Sequence, residues 1–214
     1  SQATIARAAG LIALGNVSSR VLGLVRETVI AHYFGASGLV SAFTVASRLP
    51  TMIYDLLIGG MLSAALVPVF SELALRDRDE LWQAVSALLS LATVVLGGLV
   101  LLMELLAPQI AWLLGSGYDA ELLAITTRLI RIILPAVLLF GLSGIVTGLL
   151  YSLQRFTFPA FGATVYNLGI VIAVPLLAGS LDIYSLAVGS VLGALIQLLI
   201  MLPDLRDVSL RFYL

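Results

Sequence analysis

The chain has 214 residues, of which 61% are hydrophobic and 11% are charged, and its formal net charge is −1. An ordinary soluble domain carries about 25% charged residues, so this composition describes a membrane protein. With no cysteine and the single histidine His32, a disulfide framework, a thiol nucleophile and a Cys/His zinc site are excluded; no cofactor and no nucleic-acid partner are expected.

Six apolar segments run along the chain, at roughly 3–33, 40–73, 82–106, 121–153, 159–178 and 183–202. Each is long enough to cross a ~30 Å hydrocarbon layer, which takes about 20 residues. The segments are apolar on nearly all faces and lack the alternation of a membrane strand. The expected fold class is therefore all-α integral membrane, a single unit of six transmembrane helices over residues 1–214. The first segment opens on SQATIARAAGLIALG, which leads into a helix rather than a short apolar core with a cleavage site, so no signal peptide is expected. Gly15, Asn16 and the Ser18-Ser19 pair offer a bend in this helix. FGASG at 34–38 is a Gly-rich turn. In the second segment Pro50 and Gly59-Gly60 offer bends, and RDRDE at 76–80 closes it with a charge cluster. GSGYD at 115–119 is another turn, Pro135 offers a bend in the fourth segment, and Pro159 opens the fifth at the position where helices tolerate proline. LAGSLD at 177–182 and LPDLRD at 202–207 complete the punctuation. Glycine pairs four apart, Gly144/Gly148 and Gly189/Gly193, read as sites of close helix packing.

Between the spans, Arg7, Arg76, Arg78, Arg155, Arg206 and Arg211 fall on one side, while the other shows only His32, Asp119 and Asp182. By the positive-inside rule the N- and C-termini are cytoplasmic.

With the loops and segment ends assigned to the membrane surfaces, eight charged residues remain inside the spans: Arg20, Arg26, Glu27, Arg48, Asp55, Glu104, Arg128 and Arg131. An arginine at the bilayer centre costs at least ~2.5–3.5 kcal/mol, so such residues face a protein interior or a water-filled cavity. Glu104 is close enough to the outer end to be a solvated terminus, and Arg128 has the length to snorkel outward. On a helix, Arg20 and Glu27 share a face, Arg20 and Arg26 point roughly 120° apart, and Arg128 and Arg131 share a face of the fourth span. Buried ion pairs joining helices, with Glu27 and Asp55 as partners, are one reading. Five in-span arginines against three acids leave a positive surplus, and that surplus favours the other reading, a site for an anion. Arginine suits phosphate because its planar fork makes bidentate hydrogen bonds and its charge does not titrate. The spans lack the clustered carboxylates of metal-assisted diphosphate chemistry, and no nucleophile and base recur at helical spacing, which disfavours an intramembrane enzyme.

SRVLGLVRE at 19–27, FGASG at 34–38, SAFTVASRLP at 41–50, AALVPVFSE at 64–72 and RFTFPAF at 155–161, followed by Asn167, resemble the N-terminal half of the MurJ (MviN) lipid II flippases, of the multidrug/oligosaccharidyl-lipid/polysaccharide exporter superfamily. The resemblance implies one six-helix lobe of a two-lobed exporter in the bacterial cytoplasmic membrane. It also implies an undecaprenyl-pyrophosphate-linked cargo, carried by alternating access, and a second lobe or a second copy of the chain as partner. Arg20 and Arg26 match family arginines that meet the diphosphate, and Arg48 stands at a basic position of the family. Tyr54 takes the place of a further cavity arginine, while Ser41 and Gly59 replace acids. Arg128 and Arg131 are not family hallmarks and are added to the substrate-binding candidates as a relocated anion site. Glu27 and Asp55 are candidates for ion pairing or ion coupling. A related exporter of another polyprenyl-linked glycan or a drug, or a non-transporting scaffold lobe, are the rival readings.

Overall fold

The computed structural model describes residues 2–57 and 61–205, and among these the chain is helical with no strand. Ten α-helices follow in order: α1 (Gln2–Phe34), α2 (Gly38–Leu57), α3 (Met61–Arg76), α4 (Arg78–Leu105), α5 (Ala107–Leu114), α6 (Ala120–Ile133), α7 (Pro135–Ser152), α8 (Thr157–Ala160), α9 (Gly162–Leu181) and α10 (Tyr184–Leu199). A 3-10 turn, Leu202–Leu205, ends the described part. Among the described residues, five segments are long and apolar enough to cross a bilayer, with α6 and α7 counted as one.

The boundaries have local causes. Gly35 adopts φ +61 in the turn after α1, a conformation open to glycine at little cost. Asp77 caps α4, its carboxylate accepting from the backbone of Asp79 and Glu80, and Asp119 caps α6 by accepting from Leu122. Each satisfies N–H groups that a helix start leaves unpaired.

Several expectations are refined. The second apolar segment is two helices, α2 and α3; the Gly59-Gly60 bend expected between them lies outside the described residues. The fourth is divided at Leu134, which keeps helical dihedrals (φ −54, ψ −37), so Pro135 opens α7 at a position where its missing N–H is no loss. The helix α5, with Pro108 in its first turn, lies between the third expected segment and the turn at 115–119 and belongs to neither. Pro159 does not open the fifth span; it sits in the four-residue α8, and the span starts at Gly162. The first helix runs unbroken through Gly15, Asn16, Ser18 and Ser19. Its glycine serves contact instead: a Cβ on Gly15 would overlap the carbonyl oxygen of Ala160.

The buried axis of the molecule is α7, which packs against α2, α3, α4 and α10. Toward one end Phe70, Trp82, Ile145, Leu149, Leu150 and Met201 form a core; toward the other, Phe43, Leu129, Ile133, Val137, Val174 and Leu186 form a second. The helices α9 and α10 cross closely, a Cβ on Gly169 falling 2.5 Å from Cα of Gly193. Small residues allow such backbone approach, which membrane helices use because lipid gives no hydrophobic drive for association. Large apolar side chains such as Leu24, Val94 and Leu176 point outward, each more than 70% exposed, as suits a hydrocarbon surround.

Candidate functional site

A cleft of about 410 Å³ opens between α1, α2 and α9 and is floored by α7 and α10. From α1 it takes Arg26, Glu27 and Ile30; from α2, Thr44, Ser47, Thr51 and Asp55; from α9, Tyr166 and Asn167. The α2 residues recur at three- and four-residue steps, which puts them on one face.

Arg26 is held from two helices. Its Nε and Nη2 donate to Oε1 of Glu27 at 3.2 and 2.6 Å, and its Nη1 donates to Oδ1 of Asn167 at 3.0 Å. Asn167, itself buried, donates through Nδ2 to the carbonyl oxygen of Ser19 at 3.3 Å. One turn earlier on α9, the Thr164 hydroxyl donates to the carbonyl of Gly15 at 3.3 Å. Gly15, Ser19, Gly23 and Arg26 thus form one stripe of α1, spaced three or four apart, whose small members bring the α9 side chains within reach of α1. The Arg26 side chain remains 30% exposed. Among the described residues, its hydrogen bonds leave one N–H on each terminal nitrogen free to meet a ligand.

Arg20 and Arg48 are exposed and do not line the cleft. By helical spacing, Arg20 shares the face of Glu27 two turns earlier on α1, and Arg48 lies one turn from Thr44 and Thr51 on α2. Asp55 lines the cleft and, among the described residues, makes no ion pair, so the expected arginine partner is not beside it. Arg128 and Arg131 lie on α6, outside the lining; Arg131 Nε is 3.9 Å from Oε2 of Glu104, which makes Glu104 an ion-pair partner and not simply a solvated terminus. The Tyr54 side chain and Arg206 and Arg211 lie outside the described residues. The lining brings one arginine together with two carboxylates, so the positive surplus resides in arginines on the open flanks rather than in the cleft itself. Sequence reasoning missed Thr44, Ser47, Thr51 and the buried Gln197; the polar spacing along α2 was the available signal for the first three.

A family model described as lipid II flippase MurJ matches residues 30–214. The chain belongs to the MurJ family. The lipid II flippase MurJ of Burkholderia cenocepacia is 30% identical over 200 residues, covering 90% of this chain and 38% of that protein. A probable lipid II flippase MurJ of Buchnera aphidicola is 30% identical over 205 residues, covering 93% and 40%. A solved lipid II flippase MurJ in an inward closed conformation superposes with a TM-score of 0.81 at 25% identity, over 95% of this chain and 43% of that one. A transporter of the MOP superfamily from Pyrococcus furiosus shares the fold, with a TM-score of 0.74 at 12% identity. The chain spans about 40% of the length of the curated MurJ relatives it matches. It is a multi-pass membrane protein with the MurJ exporter fold, and the family is one of inner-membrane flippases.

Proposed function

We propose that this chain supplies one lobe of a lipid II flippase, with α2 and α3 together completing six crossings and both termini cytoplasmic. A second lobe or a second copy closes the cleft, and rocking between the two carries the polyprenyl-diphosphate headgroup across the inner membrane while its tail stays in lipid. The chain performs no chemistry on its cargo.

The observation that carries this reading is the Arg26 guanidinium, anchored in a cleft among membrane helices with part of its fork unspent. A carboxylate beside an arginine makes a reversible occupant of the same edge that a phosphate would take. The diphosphate exchanges with Glu27 at Nε and Nη2 while Asn167 keeps its bond to Nη1, so the arginine stays aimed when the cargo arrives or leaves. Arg20 on α1 and Arg48 on α2, both exposed on the helices that wall the cleft, supply the further positive charge that a diphosphate needs. They also support a two-lobe state, because alone the lobe leaves both arginines facing lipid at considerable cost.

A second reading is favoured by Asp55, a carboxylate that lines the same cleft as Arg26 and makes no ion pair among the described residues: a related exporter with another polyprenyl-linked glycan or a drug as cargo, coupled to a cation. Native mass spectrometry of the detergent-solubilised protein with lipid II separates the two. Lipid II bound by the wild type on a two-lobe species, and lost in Arg26→Ala and Arg20→Ala, supports the flippase reading. Binding insensitive to both substitutions removes it, and no lipid II binding at all favours a different cargo or a scaffold role.

A further inference from the structure

At the opposite end of α1 from the Arg26 cleft, a second and polar cleft of about 300 Å³ lies between the start of α1 and the connection from α7 to α8. Arg7 and Leu11 line it from α1, Arg155 and Phe156 from the connection, Thr157 from the start of α8, and Asp204 from the 3-10 turn. Nineteen residues separate Arg7 from Arg26, about 28 Å along the helix, so the two clefts are separate sites. We propose that this second cleft binds a lipid phosphate at the membrane surface.

The arginines are brought together by the fold. Gln154 takes φ 59, and the Arg155 N–H donates to the carbonyl of Leu150 at 2.8 Å, a left-handed helix stop that reverses the chain at the end of α7. That turn places Arg155 over the helix end, where its Nη1 donates to the backbone carbonyl of Asp204. On the other wall, Arg7, Leu11 and Gly15 recur four apart on one face of α1, and Gly15 is pressed against Ala160 of α8. This close contact sets α1 beside the connection and points Arg7 to the same side as Arg155. Among the described residues neither arginine makes an ion pair. Asp204 shares the cleft, yet its carboxylate lies beyond ion-pair distance of both.

The chemistry of the walls selects the ligand. Two guanidinium groups and the Thr157 hydroxyl offer donors to phosphate oxygens, in the geometry that arginine gives to phosphates. Leu11 and Phe156 supply an apolar border where acyl or isoprenoid carbons attached to that phosphate continue into the bilayer. Basic pockets between helices on the cytoplasmic side are suited to anionic headgroups. The phosphate belongs either to a resident anionic phospholipid or to a polyprenyl-phosphate lipid waiting at the surface.

The test is a native mass spectrometry titration of the whole chain with phosphatidylglycerol and, separately, with undecaprenyl phosphate. It compares wild type, Arg7→Gln, Arg155→Gln and Arg26→Ala. Arg7 makes no hydrogen bond or ion pair among the described residues, so Arg7→Gln leaves the fold intact even where Arg155→Gln loosens the link to Asp204. Loss of one cation near the surface corresponds to about a fivefold weaker interaction. A drop of that size in phosphatidylglycerol binding for Arg7→Gln, with Arg26→Ala unchanged, assigns the cleft to a resident phospholipid. The same drop with undecaprenyl phosphate alone assigns it to the polyprenyl lipid. Equal binding by wild type and Arg7→Gln for both lipids overturns the proposal, whatever Arg26→Ala does. The outcome is independent of whether the chain flips lipid II.

Discussion

Arg26 of α1 and Asn167 of α9, 141 positions apart in the sequence, are joined by a hydrogen bond of 3.0 Å from Nη1 to Oδ1. The same amide reaches back to α1 at the Ser19 carbonyl. One side chain thereby aims a cation and ties together the two helices that frame the cleft. Asn167→Ala removes both bonds. Interhelical hydrogen bonds in membranes average about 0.6 kcal/mol, so a loss of about 1 kcal/mol is expected in unfolding measured in detergent. Lipid II binding should fall, but less than in Arg26→Ala; a variant as stable as wild type would show that α1 and α9 are held by packing alone.

Removing Arg26 takes away a charged donor group. Hydrogen bonds to charged groups are worth about 1.5–3 kcal/mol, so Arg26→Ala should lower the affinity for lipid II by about tenfold or more in a titration. Arg26→Lys keeps the charge without the planar fork and should fall between the two. Equal affinity for lysine and arginine would mean that the site reads charge and not bidentate geometry.

Glu27 occupies the edge of Arg26 that a phosphate would use, with the shorter contact at 2.6 Å. If the carboxylate competes with cargo, Glu27→Gln should bind lipid II several-fold more tightly, because the neutral amide yields the edge more readily. Weaker binding in the same titration would instead assign Glu27 to orienting the guanidinium.

Gly15 and Gly10 make a matched pair on α1. A Cβ at Gly15 would overlap the Ala160 carbonyl, whereas one at Gly10 meets nothing within 4 Å. Gly15→Ala should force α1 away from α8 and lower the melting temperature in detergent substantially, while Gly10→Ala should leave it unchanged or raise it slightly through helix propensity. Similar melting temperatures for the two would argue that α1 shifts without loss.

On α6, Arg131 stands 3.9 Å from Glu104, both side chains partly exposed at 50% and 30%. A double-mutant cycle with Arg131→Gln and Glu104→Gln should return a coupling below about 1 kcal/mol, as exposed pairs do. Lipid II affinity should be unaffected by either change, because neither residue lines the cleft. A loss in Arg131→Gln would return the α6 arginines to the substrate site.

Much of the fold was legible before any coordinates. In lipid, backbone polar groups must be satisfied within a helix, so long apolar runs declare themselves by composition alone, and Gly35, Asp77 and Asp119 mark where helices stop or start through local chemistry. The in-span arginines were equally visible, because each is costly in hydrocarbon. Their placement was not visible. A helix apolar on nearly all sides carries little information about which face meets a neighbour, so periodicity separated Arg20 from Arg26 without saying which lines the cleft. Only the packing of α1 against α9 placed Arg26 beside Asn167, turned Gly15 from an expected bend into a contact, and set Arg7 opposite Arg155. Those relations join residues far apart in the chain through close backbone approach, and that approach is a property of two helices together.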